Sequence, residues 1–263
     1  MTWWQAALLG VLQGLTEFLP VSSSGHLALA QHLIPGFSQP GVVFDAVLHV
    51  GTALAIIWFE RRALLRWLHE AEGVKVLGLL IAGTAATAVP GFALRSQAEA
   101  DFTRLVWVGG FFMLTGVIVL ATYVLPGGER VVRTTGWKQA VLIGLAQGCA
   151  VFPGISRSGS TIAAGLGCGL EREWAARFSF LLGVPAIAGA TLVEVVGHAG
   201  RIEAAGSSFW IACGVGGVTA AVTGYFALGL VLRAVTSRVF YRFAWYCLPL
   251  GLLVLAASWM GWL

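Results

Sequence analysis

The sequence predicts an all-α integral membrane protein: six transmembrane helices plus two re-entrant helical hairpins, arranged as an inverted-topology repeat. Three observations carry this. Hydrophobic residues make up 58% of the 263-residue chain and charged ones only 11%, against roughly 25% charged in soluble domains. Six segments are apolar over about 20 residues, the length needed to cross a hydrocarbon core of roughly 30 Å. Two further apolar stretches are broken by Pro, Gly and Ser, and they match each other in sequence.

The same composition excludes a disordered chain, which needs low hydrophobicity and high charge. A net charge of +4 and a pI near 9.1 read, in a membrane chain, as basic cytoplasmic loops, so no nucleic-acid partner is expected. Cys149, Cys168, Cys213 and Cys247 show no Cys-x-x-Cys spacing, which argues against a zinc site or disulfide framework. The N-terminus lacks the basic region and small-residue cleavage site of a secretory signal, so the whole chain is read as mature protein.

The first broken stretch runs over residues 3–35: an apolar helix from Trp3 is stopped by Pro20 and a serine run, and a second piece ends near Pro35. Three spans follow, from Val42 to Phe59, Val74 to Phe92 and Leu105 to Leu125. The second broken stretch, 137–169, is interrupted at Pro153-Gly154, and spans from Trp174 to Val196, Phe209 to Leu232 and Phe243 to Trp262 complete the chain. Each half of a broken stretch is too short to cross alone. Such pairs read as re-entrant hairpins, whose broken backbone is tolerated where it is buried or faces water; two kinked spans are the alternative.

Trp3 to His26 aligns without gaps on Trp137 to Ser160 at a constant offset of 134, with 11 identities in 24 positions. The chain therefore divides into repeats of about 1–125 and 137–263 within one membrane domain. Each repeat is one hairpin followed by three spans, and an odd number of crossings inverts the second copy. In inverted repeats, sites form where corresponding broken helices meet near the midplane. Twelve basic residues fall on one side of this topology and three on the other (Arg95, Arg104, Arg201), leaving Arg157 inside the second hairpin. The positive-inside rule makes the richer side cytoplasmic, with both termini outside and the site reached from the outer face.

In the first hairpin, Gln13 and Glu17 are four apart and share a helix face. An ionisable Glu in so apolar a segment is by default a functional candidate. Beyond Pro20, Ser22 is suited to cap a new helix, with Ser23 and His26 together on its first turn; a hydroxyl near an imidazole is raw material for nucleophilic catalysis. Arg157 in the second hairpin offers a fork of donors for phosphate oxygens. Gly25, Gly159 and Gly154 allow close backbone approach, and fresh helix N-termini supply free N–H groups. With the hydroxyls of Ser22, Ser24, Ser156, Ser158 and Thr161, the two tips suit a phosphate or diphosphate. Asp45 and His49, four apart at the start of a span, read as satisfied interfacial groups, with reach to the site mouth as the alternative, and His32, His69 and His198 as solvated. Trp67, Trp174, Trp210 and Trp262 read as aromatic belts. Gly214, Gly216 and Gly217 form a small-residue patch suited either to a homodimer interface or to packing within one chain.

Gln13-x-x-x-Glu17 followed by Phe18-Leu19-Pro20-Val21-Ser22-Ser23-Ser24-Gly25-His26, together with Pro153-Gly154-Ile155-Ser156-Arg157-Ser158-x-x-Thr161, resembles the undecaprenyl-diphosphate phosphatase family associated with bacitracin resistance. The resemblance extends over the whole chain, including Phe178-Ser179-Phe180-Leu181-Leu182. It implies a bacterial inner-membrane enzyme that hydrolyses undecaprenyl diphosphate to the monophosphate, recycling the lipid carrier for peptidoglycan. It also implies dependence on magnesium or another divalent cation such as calcium. Glu17, Ser23, His26, Ser156, Arg157 and Thr161 fall on the family's functional positions, and Gln13 stands where many members carry Glu, leaving Glu17 as the one carboxylate of the metal-binding pair. Ser23 with His26 as base, His26 itself, or activated water can each be the nucleophile. The competing class is a transporter of a phosphorylated polyprenyl lipid built on the same anion site.

Overall fold

The computed structural model describes residues 1–33, 42–101, 104–197 and 206–262; Pro35, His198 and Arg201 lie outside them. The described residues form helices and no strand. Helix α1 (Trp3–Phe18) opens where the Thr2 N–H donates to Gln5 Oε1 at 2.8 Å. It ends because Pro20 disfavours helical backbone at the preceding residue, so Leu19 turns extended at φ −60°, ψ 142°. Helix α2 (Ser23–Leu33) follows the break. Helix α7 (Trp137–Cys149) opens in the same manner, Gly136 N–H donating to Gln139 Oε1 at 3.0 Å. After the turn at Pro153-Gly154, α8 (Arg157–Gly167) starts with Ser156 Oγ accepting from the Gly159 N–H at 3.1 Å.

Each broken pair is followed by long apolar helices: α3 (Val42–Trp67), α4 (Ala71–Ala93), the short α5 (Arg95–Asp101) and α6 (Leu105–Ala121), then α9 (Arg172–Gly197), α10 (Ser207–Thr236) and α11 (Ala244–Trp259). Five described stretches are long and apolar enough to cross a bilayer, namely Val43–Trp67, Ala71–Ala93, Arg172–Gly197, Ser207–Thr236 and Phe240–Trp259. The span expected over 105–125 is shorter than the sequence suggests. Its 17 helical residues end where Thr122 Oγ1 donates back to Val119 O at 2.6 Å, ahead of Pro126. Several helices also run past the apolar limits. Arg177 lies within α9 and is hydrogen-bonded to the buried Glu60 of α3.

The main partnerships are α1 with α10, α7 with α4, α6 with α11, and α3 with both α9 and α10. Glycines allow the first two. A Cβ on Gly10 would fall 2.4 Å from Gly216 O and one on Gly14 2.6 Å from Ala220 O; on α7, a Cβ on Gly144 would fall 2.1 Å from Gly83 O and one on Gly148 2.4 Å from Thr87 O. Both pairs are separated by 134 residues, and both bring helix backbones together through small residues, the usual means of packing apolar helices where the surroundings are equally apolar. The core between the halves is aromatic, with Phe18, Phe178 and Phe180 buried and Phe18 edge-on to Phe180 at 6.1 Å.

At this level one open alternative narrows and one expectation changes. Gly216 and Gly217 face Leu48, Phe44 and Val47 of α3, so most of the glycine patch considered for a homodimer is used within the chain. Trp174 is buried, not part of an exposed belt: its Nε1–H donates to Thr135 Oγ1 at 2.9 Å and its ring meets Trp67 edge-on.

Candidate active site

The two helix breaks meet. Gly25 abuts Gly154, where an added Cβ would come within 3.0 Å of the Gly154 backbone. Ser22 ties the tips covalently distant but spatially adjacent: its Oγ accepts from the Gly154 N–H at 3.0 Å and from the Gly25 N–H, within its own hairpin, at 3.4 Å. To do so Ser22 adopts φ +67°, a left-handed conformation that a side-chain-bearing residue pays for with roughly 1–2 kcal/mol. Such strain persists only where the surroundings hold it in place.

Glu17 lies in the last turn of α1, one residue pair before the break, with its side chain only 4% exposed. Both oxygens of the carboxylate are engaged. Oε1 accepts from Arg157 Nη2 at 2.8 Å; Oε2 accepts from Gln13 Nε2 at 2.9 Å and Ser23 Oγ at 2.5 Å; His49 Nε2 stands 3.7 Å from Oε2. A buried charge is tolerable only with such pairing and hydrogen bonding. Ser23 and Arg157 are each the first residue of the helix that follows a break, and they sit 134 residues apart. The two hairpins thus direct equivalent positions at one carboxylate. Gly183 of α9 makes room for the guanidinium: a Cβ there would sit 1.9 Å from Arg157 Nη1.

His26 is placed differently from the sequence expectation. Its Nδ1 lies 2.7 Å from Ser22 O and its Nε2 2.8 Å from Tyr246 Oη. The carbonyl can only accept, so Nδ1 carries a proton, and in the neutral ring Nε2 accepts from the Tyr246 hydroxyl. Tyr246 stacks on the imidazole at 5.7 Å and Phe112 meets it edge-on at 5.1 Å; these two aromatics are again 134 apart. Ser23 and His26 therefore do not form a hydrogen-bonded pair, because Ser23 donates to Glu17 and His26 is held between Ser22 and Tyr246. The i, i+3 spacing suggested proximity, but the break turns the two side chains toward different partners.

The remaining tip residues shape the hairpins. Ser22 and Ser24 hydroxyls lie 3.3 Å apart, mirrored by Ser156 and Ser158 at 3.2 Å, and Ser158 Oγ donates to Leu19 O at 3.2 Å. A Cβ added to Gly159 would fall 3.2 Å from the side chains of Pro20 and Ser156. Thr161 is fully buried, donating to Arg157 O at 2.9 Å and hydrogen-bonded to Ser179 Oγ; it supports the helix carrying Arg157 instead of facing the cluster. Asp45 accepts from Gln31 Nε2 at 3.2 Å, whereas His49 reaches Glu17. Of the two readings of His49, the contact with Glu17 favours reach to the site mouth over an interfacial group. Sequence reasoning also passed over Tyr246 and Gly183. The signal for both was the repeat itself, since Tyr246 is offset by 134 from Phe112 and Gly183 by 134 from His49.

No group of three or more His, Cys, Asp or Glu suited to a metal occurs among the described residues. The donor set near Glu17 nevertheless fits a cation that keeps most of its waters. Gln13 Oε1 is buried with no hydrogen-bond partner, one turn from the carboxylate, and Mg²⁺ typically takes one or two protein oxygens plus water and phosphate.

A multi-pass helical membrane protein whose two broken helices converge on a buried Glu–Arg–Ser cluster is the class that this fold and site define. The family described as Bacitracin resistance protein BacA matches residues 6–253. The chain is 42% identical to the undecaprenyl-diphosphatase of Desulforapulum autotrophicum, over 99% of this chain and 100% of the relative. It is 40% identical to that of Syntrophotalea carbinolica, over 98% and 100%, and 35% identical to that of Methanosphaera stadtmanae, over 96% and 97%. The chain belongs to the BacA family.

Proposed function

We propose that the protein is an undecaprenyl-diphosphatase of the cytoplasmic membrane, hydrolysing undecaprenyl diphosphate to undecaprenyl phosphate and inorganic phosphate. It thereby recycles the lipid carrier for envelope polymers and confers bacitracin resistance. The observation that carries the reading at the level of chemistry is the Glu17 carboxylate, shared between a guanidinium and a serine hydroxyl. Full-length relatives named for this activity support it at the level of sequence.

The two halves form an inverted-topology repeat, with α6 as the thin sixth crossing, both termini outside and the hairpin tips open to the outer face. Support comes from the matched glycine contacts of α1 and α7 and from the distribution of basic residues. The polyprenyl tail stays in lipid while the diphosphate enters the cluster. Arg157 keeps one N–H on Glu17 and turns its remaining donors to the transferring phosphoryl group, where preorganised positive charge is worth most. Ser23 Oγ attacks the terminal phosphorus, and its proton passes to Glu17 Oε2. The bond to the bridging oxygen breaks, and undecaprenyl phosphate leaves with the electron pair. Water then cleaves the phosphoseryl ester, with Glu17 managing the proton and inorganic phosphate released. His26 acts through Ser22: its Nδ1–H on the Ser22 carbonyl fixes the strained residue from which Ser23 projects. Glu17 and Gln13 would hold a divalent cation, magnesium first among candidates, and such an ion neutralises charge on the phosphates.

The test is phosphate release from prenyl diphosphates in detergent, where no sealed compartment exists. A hydrolase releases phosphate there and a transporter does not. Rapid quench with labelled substrate should trap phosphate on Ser23; phosphate on His26, or no adduct with turnover intact in Ser23→Ala, would reject the serine route.

A further inference from the structure

Away from the Glu17 cluster, a cavity of about 450 Å³ opens between the end of α10 and the start of α11. Its walls are apolar, from Leu230, Val239 and Phe243, and Arg233 and Arg242 stand at it. Both arginines are exposed, and among the described residues neither guanidinium has an ion-pair or hydrogen-bond partner. Tyr246 also lines it, the residue whose hydroxyl holds His26 Nε2 at 2.8 Å. One residue therefore borders both this cavity and the tip cluster, which it meets through its hydroxyl.

We propose that the cavity binds the phosphate headgroup of an anionic phospholipid, and that occupancy steadies Tyr246 on His26. Two guanidinium groups without carboxylate partners complement a phosphodiester, and basic pockets between membrane helices are suited to such headgroups. The apolar walls select a lipid over a free anion, because hydrated phosphate gains nothing from Leu230 and Phe243 whereas the first methylenes of an acyl chain do. Leu230 and, one turn earlier, Phe226 are exposed at 53% and 69%, so the acyl chain has an apolar helix face to follow out of the cavity. The prenyl diphosphate is not the occupant, since its phosphates belong beside Arg157, which does not line this cavity. The coupling to His26 and the exclusion of the prenyl diphosphate rest on the active-site reading above; the binding of an anionic lipid does not.

Native mass spectrometry of the purified full chain, titrated with phosphatidylglycerol or phosphatidylcholine, tests the binding. The wild type should retain one phosphatidylglycerol at least tenfold more tightly than R233Q/R242Q and should not distinguish that variant with phosphatidylcholine. Equal retention by the double variant, or displacement of the phospholipid by inorganic phosphate or by a prenyl monophosphate, overturns the site. Phosphate release from a short prenyl diphosphate in neutral detergent tests the coupling. Phosphatidylglycerol should raise kcat at least twofold in the wild type and leave R233Q/R242Q at its basal rate, equal to that of the wild type without phospholipid. Selective binding with no change in kcat overturns the coupling, and failure of all variants to turn over would count against the active-site reading alone.

Discussion

Arg157 and Glu17 are 140 positions apart in the chain and 2.8 Å apart in the structure, and their contact joins the two broken helices at the one carboxylate of the cluster. Both side chains are largely withdrawn from solvent, at 17% and 4% exposed. Removing one partner leaves the other charge uncompensated, which typically costs about 3–5 kcal/mol. Arg157→Gln should therefore unfold at lower temperature than the double variant Glu17→Gln/Arg157→Gln, while both lose phosphate release by about 10²-fold or more. Thermal unfolding in detergent beside a phosphate-release assay separates the two effects; a double variant less stable than the single one would show that the pair is not coupled.

Gly183 bears on the same guanidinium. With a Cβ only 1.9 Å from Arg157 Nη1, Gly183→Ala must push the side chain off Glu17. Misplacement of a charge-stabilising group by about 1 Å can cost about 10²-fold in rate, so kcat should fall by that order while the protein remains folded. Gly189→Ala on the same helix, where an added Cβ meets nothing within 4 Å, should retain wild-type kcat. Equal activity in the two variants would remove Gly183 from the account.

Ser22 separates strain from hydrogen bonding. Ser22→Ala loses the acceptor for the Gly154 and Gly25 N–H groups and keeps the unfavourable φ of +67°. Ser22→Gly loses the same acceptor and relieves the backbone, by about 1 kcal/mol. The glycine variant should thus be the more stable of the two, by about 2–4 °C in Tm. An alanine variant as stable as the glycine one would mean that the tip relaxes out of the left-handed region once the bond to Gly154 is gone.

Much of this architecture is legible in sequence because it is local chemistry. Pro20 ends α1 and Pro153-Gly154 interrupts the second hairpin whatever surrounds them, and scarcity of charge marks Glu17 and Arg157 before any contact is known. What escapes is set by direction. Ser23 and His26 are one helical turn apart, yet the first residue of α2 points back to Glu17 while His26 points to α11. His49 reads first as the polar end of a span because its neighbours in sequence do not decide whether α3 passes Glu17 or only borders the interface. Tyr246 is one aromatic among many in an apolar helix, and its hydroxyl acquires meaning only through a partner 220 residues away. Helix α6 falls short of its hydropathy because Pro126 and the Thr122 turn act on the backbone, whereas Tyr123, Val124 and Leu125 extend the apolar run without extending the helix.

Gln13 makes the metal question testable. Its Nε2 donates to Glu17 and its Oε1 is buried without a partner, so in this chain a neutral amide stands beside the carboxylate. Gln13→Glu removes that donor and sets two carboxylates one turn apart, a repulsion that a divalent cation relieves and that otherwise raises the pKa of one of them. Without added cation the variant should be less stable and less active than the wild type. On titration with Mg²⁺ it should gain more in Tm than the wild type does, since a ligand that binds only the folded state stabilises in proportion to its affinity. The Mg²⁺ concentration for half-maximal stabilisation should fall by about tenfold, the effect of roughly 1.4 kcal/mol. Equal Mg²⁺ responses in the two proteins, by Tm and by phosphate release after EDTA treatment, would exclude position 13 from the cation site and leave Glu17 to act through Arg157 and Ser23 alone.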